Sequence, residues 1–200
     1  MGTAAKIPEF KVKFSDVFSL RNLYIMMHEL LLEEGWKGTE GDNDHTDLEK
    51  LYSENIYQKG IHKGGKEIWV WWRTLKQPEG KYSGYFRNKL DIDMHMAYMQ
   101  DIEAVQEGKK ITIQKGEIEI FFRAEVESDY EDKKWEDHPL LKHFKTIYEK
   151  RWIRGEIEKR EKELYRDVYR IQAKIKNYLQ LRTFLPKAPA FFPEKYGWEG

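Results

Sequence analysis

Few residues in this chain have the type and spacing to do chemistry. Asp91, Asp93 and His95 stand at spacing two in "LDIDMH". On a strand, alternate side chains share a face, so two carboxylates and an imidazole would converge as ligands for a divalent metal. The same residues also suit a charged sheet face whose acids pair with Arg73, Arg87 or Arg123 on neighbouring strands. No second histidine or acid motif with metal spacing accompanies them. The ion-paired face is therefore the expectation, with the metal site as its alternative and no cofactor implied.

Other motifs fail on spacing. "DNDHTD" at 42–47 starts like a calcium-binding loop, but Asp47 stands where the turn glycine belongs and Ser53 where the bidentate glutamate belongs. "HELLL" at 28–32 has Leu32 in place of the second zinc-binding histidine. "GGK" at 64–66 lacks the spacing of a phosphate loop. The chain has no cysteine, no G-x-S-x-G and no dinucleotide fingerprint. Nothing here specifies an enzyme.

Binding residues are better represented. In "EIWVWWRTL" (67–75) a strand would send Ile68, Val70 and Trp72 to one face and Trp69, Trp71 and Arg73 to the other. Trp69, Trp71 and Phe121, together with Arg73, Arg87 and Arg123, combine the residue types enriched at interaction hot spots. A solvated face rarely keeps three large aromatics, so this face is expected to be covered. The cover would be another chain or the tail, through Phe191, Phe192, Tyr196 and Trp198. A basic helix carries Tyr165, Arg166, Tyr169, Arg170 and Lys174, which could neutralise phosphates and stack on bases. Glu156, Glu158, Glu161, Glu163 and Asp167 interleave with those cations, so a solvated, salt-bridged face is preferred to nucleic acid.

The elements that would position these residues follow from periodicity. "FKVKF" reads as a strand. A helix follows, capped by Ser19, striped by Leu20, Leu23, Tyr24, Met27, Leu30 and Leu31, and ended by Gly35. The middle reads as an antiparallel meander with turns at Gly64-Gly65, 77–80 and 106–110. The first turn sets Ile61 against Ile68 and Tyr57 against Trp72. Phe86, Leu90, Ile92, Met94, Met96 and Tyr98 alternate inward on one strand; Ile118, Ile120, Phe122, Ala124 and Val126 do so on the next. Two helices follow Pro139, separated by Gly155. The second has a seam of Ile157, Leu164, Val168, Ile171, Ile175 and Tyr178. It would run roughly 40 Å, packing on the body or projecting from it to dock on a neighbouring subunit.

The fold class expected is α+β: an antiparallel meander with one apolar face covered by an N-terminal helix and C-terminal helices. Residues 1–139 form an acidic body of net charge −7, 140–182 a basic helical extension of net charge +7, and 183–200 a proline and aromatic tail. The full 200 residues are neutral, with 40% hydrophobic and 35% charged residues. That composition suits one domain with a real core rather than disorder. The longest apolar run is shorter than the ~20 residues of a membrane span, and no signal-like segment opens the chain. With no cysteine, a reducing compartment and a cytoplasmic location are expected.

The succession of strand, helix, loop, meander and C-terminal helix over residues 9–180 is similar to the helix-grip (START-like) fold. That resemblance implies an apolar ligand held between sheet and helix, here by Trp72, Met94, Met96 and Phe122. "EIWVWWR", "LDIDMH" and "YRDVYRIQAKIKNYL" also resemble a group of uncharacterised archaeal proteins of this size, which implies no activity. The leading expectation is a non-catalytic interaction or assembly subunit whose partner is protein, self or another chain. The alternative is a pocket protein for an apolar small molecule or lipid.

Overall fold

Apolar residues at every second position require a sheet with one dry face. In a computed structural model of the chain, seven strands build it: β1 (Gly2–Lys6), β2 (Phe10–Phe18), β3 (Lys37–Gly38), β4 (Glu49–Lys59), β5 (His62–Lys76), β6 (Phe86–Gln106) and β7 (Lys109–Ser128). The helices are α1 (Leu20–Glu33) and α2 (Arg154–Tyr178), the latter preceded by a π-helical turn, Tyr148–Trp152. The structure describes residues 2–38, 48–59, 62–80, 82–106, 109–129, 144–145 and 147–181. All pairings are antiparallel. β7, β6 and β5 form the centre; β1 and β2 both pair with β7, while β3 and β4 both pair with β5. The chain is α+β, as its alternation implied.

The inner face matches the expected parity. Ile68, Val70 and Trp72 align with Leu90, Ile92, Met94 and Met96, and these with Ile118, Ile120, Phe122 and Ala124. Both helices lie on this face. Ser19 caps α1 by accepting from the Asn22 amide at 3.3 Å, and Gly35 (φ +81°) ends it. Leu23, Met27, Leu30 and Leu31 then face the sheet, and the Tyr24 ring meets Trp72 edge-on at 4.8 Å. In α2, Leu164, Val168, Ile171 and Ile175 are buried, and Tyr169 lies 4.7 Å from Phe10, itself stacked on Phe122. The seam is thus consumed by its own sheet. α2 packs along the body rather than projecting, and no apolar stripe remains there for a neighbouring subunit.

Several boundaries differ from expectation. β1 pairs with the end of β7, and β2 runs to Phe18. The β4–β5 hairpin closes between Lys59 and His62, so Gly64 and Gly65 lie inside β5; Ile68 faces Glu54, and Trp72 faces Glu49. Gly65 serves a different need. A Cβ there would meet the Tyr98 backbone at 2.7 Å, and one on Gly116 would meet the Met99 sulfur at 2.5 Å. Both glycines admit a bulge in β6, where register shifts between Ala97 and Gln100 and Tyr98 adopts φ +56°. Tyr98 therefore turns outward, 79% exposed, and Met99 takes the inward place. Gly155 lies in the first turn of α2; the break before it falls at Ile153 (φ −110°, ψ 10°).

Candidate functional site

With both helices on the inner side, the other sheet face is the surface that needs an explanation. Strand pairing arranges it in rows. One row reads Leu51, Trp71, Asp93, Phe121 and Lys11; the next reads Ser53, Trp69, His95, Glu119 and Lys13. On the other side of the first lies Arg73, Asp91 and Arg123. The six residues expected to form an interaction face do share it, but they do not form one patch. Trp71, Phe121, Arg73 and Arg123 surround Asp93, with Trp69 one row away. Arg87 sits farther along β6, where it donates to Glu127 from Nε at 2.9 Å.

Asp93 is the hub. It accepts from Arg73 at 2.6 Å and also from Arg123, and Asp91 lies 3.8 Å from the Arg73 guanidinium. Lys89 bridges Asp91 and Glu125 at 3.6 and 3.3 Å. His95 turns elsewhere: its Nε2 meets Glu67 Oε1 at 2.8 Å, and its ring stacks on Trp69 at 3.8 Å. The three candidate metal ligands are thus separated by their partners. Among the described residues no group of three acids and histidines is placed to hold a metal ion.

The face divides into two halves. Toward β7 and β2 every aromatic is covered by charge: the Lys11 ammonium sits 5.4 Å over Phe121 and pairs with Glu119 at 3.3 Å. Lys13 bonds Glu117 and Glu119, which hold its ammonium more strongly protonated than usual. Toward β4 the rings stay open, Trp69 at 37% and Trp71 at 41%, although Arg73 lies 5.6 Å over Trp71. The edge strand adds Tyr57 to this side, whereas Tyr52 (51%) and Ile56 (62%), opposite Val70 and Lys66, are exposed on the α1 side.

Where the bulge lifts Tyr98, a cleft of about 590 Å³ opens among Tyr57, Gly65, Glu67, His95, Tyr98 and Glu119. Tyr57 donates to Glu67, as does His95, and these bonds hold the Glu67 carboxyl below the usual range. Those bonds tie β4, β5 and β6 together along the cleft wall. Sequence alone places Tyr57 and Tyr98 elsewhere, opposite Trp72 and on the inner face, and does not single out the edge residues Tyr52 and Ile56. β4 alternates weakly, and the sign of the bulge is a glycine that reads equally well as a turn.

The remaining candidates fall elsewhere. Trp72, Met94, Met96 and Phe122 are packed core residues, buried to within 1% of full cover. A groove of about 490 Å³ lies instead at the open side of α1, among Leu20, Tyr24, Ile25, Ile68 and Met99. Tyr24 donates to Glu49 there, and burial raises its pKa. On α2, Tyr165 stacks on Tyr169 at 4.2 Å, and Arg170 bonds Glu34 at 2.8 Å, while Arg166 and Lys174 are exposed. Tyr169 is packed against Phe10, while Tyr165 is 44% exposed. Phe191, Phe192, Tyr196 and Trp198 lie outside the described residues. No described helix is long and apolar enough to cross a membrane.

Comparison with protein-family models, with curated proteins and with solved structures finds no match to this chain.

Proposed function

We propose that this chain is a non-catalytic assembly subunit that docks on protein through the β4–β5 side of its outer face, and that the partner is a second copy. The exposed rings of Trp69, Trp71 and Tyr57 on the outer face, at the edge where Tyr52 and Ile56 stand exposed on the α1 side, carry the reading, because exposed apolar surface of this kind marks an interaction site. Among the described residues β4 pairs only with β5, so its far edge presents backbone groups to another strand. The edge is self-complementary. Two β4 strands laid antiparallel about Glu54 set Tyr52 against Ile56 and Leu51 against Tyr57, twice each. Glu54, which would meet its own copy, is neutralised by Lys66 at 3.2 Å.

Ile56→Lys tests this, since an edge lysine blunts strand pairing. By size-exclusion chromatography with acrylamide quenching, the variant should run as one chain and its tryptophans should quench more readily than those of the wild type. Identical elution and quenching of the two proteins would refute the edge contact.

A second reading, a pocket protein for an apolar small molecule, is favoured by the groove under α1 and by the order of strand, helix, meander and C-terminal helix. Filling the groove with Ile25→Trp should abolish binding of a fluorescent fatty acid. Binding unaffected by that change would remove the groove from consideration.

A further inference from the structure

At the opposite end of the molecule, α1, the β5–β6 connection and α2 enclose a cleft of about 580 Å³. Its chemistry differs from that of the outer face. Carboxylates of Glu33, Glu34, Glu79, Glu163 and Asp167 line it against two cations, Lys76 and Arg160. Both cations are engaged: Lys76 bonds Asp167 at 2.7 Å, and Arg160 bonds Glu156 at 3.0 Å and Glu163 at 3.3 Å. Arg170, beside the cleft, bonds Glu34 at 2.8 Å and Asp167 at 3.5 Å, so the surplus negative charge rests on Glu33 and Glu79, which have no ion pair among the described residues. The C-terminal end of α1 adds to it, because a helix C-terminus carries partial negative charge and its last turn has no basic residue.

A second, independent observation points to a missing partner. Two polar side chains of the sheet, Thr74 and Asn88, are buried near this end. Thr74 donates to the Leu90 carbonyl at 2.8 Å and is satisfied. Asn88 lines the cleft, is only 4% exposed, and its Oδ1 has no hydrogen-bond partner. A buried acceptor left unpaired is costly.

We propose that this cleft binds an aliphatic polyamine, with Asn88 accepting from an ammonium group and the surrounding carboxylates holding the others. The cleft is far larger than one ion, and no three carboxylates among the described residues converge as a metal site would require. A flexible cation with several ammonium groups fits both facts. The site lies apart from the β4–β5 patch and stands independently of the assembly reading.

Spermidine is the probe, titrated calorimetrically into the full chain at physiological salt, with thermal melts in parallel. The wild type should bind one equivalent saturably and melt higher when loaded. Asn88→Ala should weaken binding about tenfold, the scale of one charge-assisted hydrogen bond. Its unloaded melting temperature should fall little, since the bond it removes is unmade without ligand. The pair Glu33→Gln and Glu79→Gln, both on the surface, should weaken binding several-fold without disturbing the fold. Absence of saturable binding would overturn the proposal. So would binding indifferent to both variants, or competed equally by Mg²⁺, because either result describes a diffuse ion atmosphere.

Discussion

Trp71 and Trp72 are neighbours in sequence on opposite faces of one strand. Trp72 is fully buried under α1, whereas Trp71 stands open beside an edge strand. The inner face is filled by helices of the same chain except at the groove beside α1. Toward β7 and β2 the outer face is closed by ion pairs, each acid having its cation. Toward β4 the Trp69 and Trp71 rings stay exposed even with His95 stacked on one and Arg73 over the other. An aromatic side chain is thus core on one face and exposed on the other, and the helices decide which.

The widest separation should appear in stability. Trp72→Ala removes a buried ring and should cost about 3–5 kcal/mol in urea unfolding. Trp71→Ala should cost no more than ~1 kcal/mol yet disrupt association. Equal costs for the two would erase the distinction between the faces. The bulge comes next: Gly65→Ala drives a Cβ into the Tyr98 backbone and should cost about 1–3 kcal/mol. A neutral outcome there would mean that β6 runs straight past Gly65.

The ion-paired half gives a smaller effect. Asp93→Ala removes the carboxylate shared by Arg73 and Arg123, groups that remain partly in water, so a loss of ~1–2 kcal/mol is expected. A double-mutant cycle with Arg123→Ala should show coupling, and additive losses would deny the shared bond. The smallest effect is acid sensitivity. Glu67 is held below its ordinary value of 4.5 by Tyr57 and His95, and Glu119 by Lys13 and Lys11. A depressed carboxyl contributes stability that is present above that ordinary value and lost as pH falls through its folded value. Melting temperature should therefore decline below about pH 4.5, less steeply in Tyr57→Phe, which lacks one of the Glu67 bonds. Superimposable profiles would show that the Tyr57 bond does not matter.

The inner face was legible because period-two burial on three long strands admits one register: slipping Ile92 or Ile120 by one position would turn a whole strand inside out. Ser19 and Gly35 were legible for equally local reasons. The glycines were not. Gly65 and Gly116 answer to a backbone one strand away, and Gly155 occupies a helix turn with open space around it. The outer face was legible as a list of residues but not as an arrangement. Parity places Asp93 on the face, yet only the pairing sets Arg73 on one side of it and Arg123 on the other. The importance of β4 was hidden by its weak alternation.

The central claim is that the open aromatic side of the sheet joins two copies of the chain. The most direct measurement is solution mass by light scattering, taken across protein concentration at low salt and again at about 1 M NaCl, where charge interactions are screened within roughly 3 Å. An apolar strand-edge contact predicts twice the chain mass at both salts, falling to one chain mass on dilution. A single-chain mass at every concentration would contradict it, and so would a dimer that dissolves as salt rises, since that would place the contact on the charged surfaces instead.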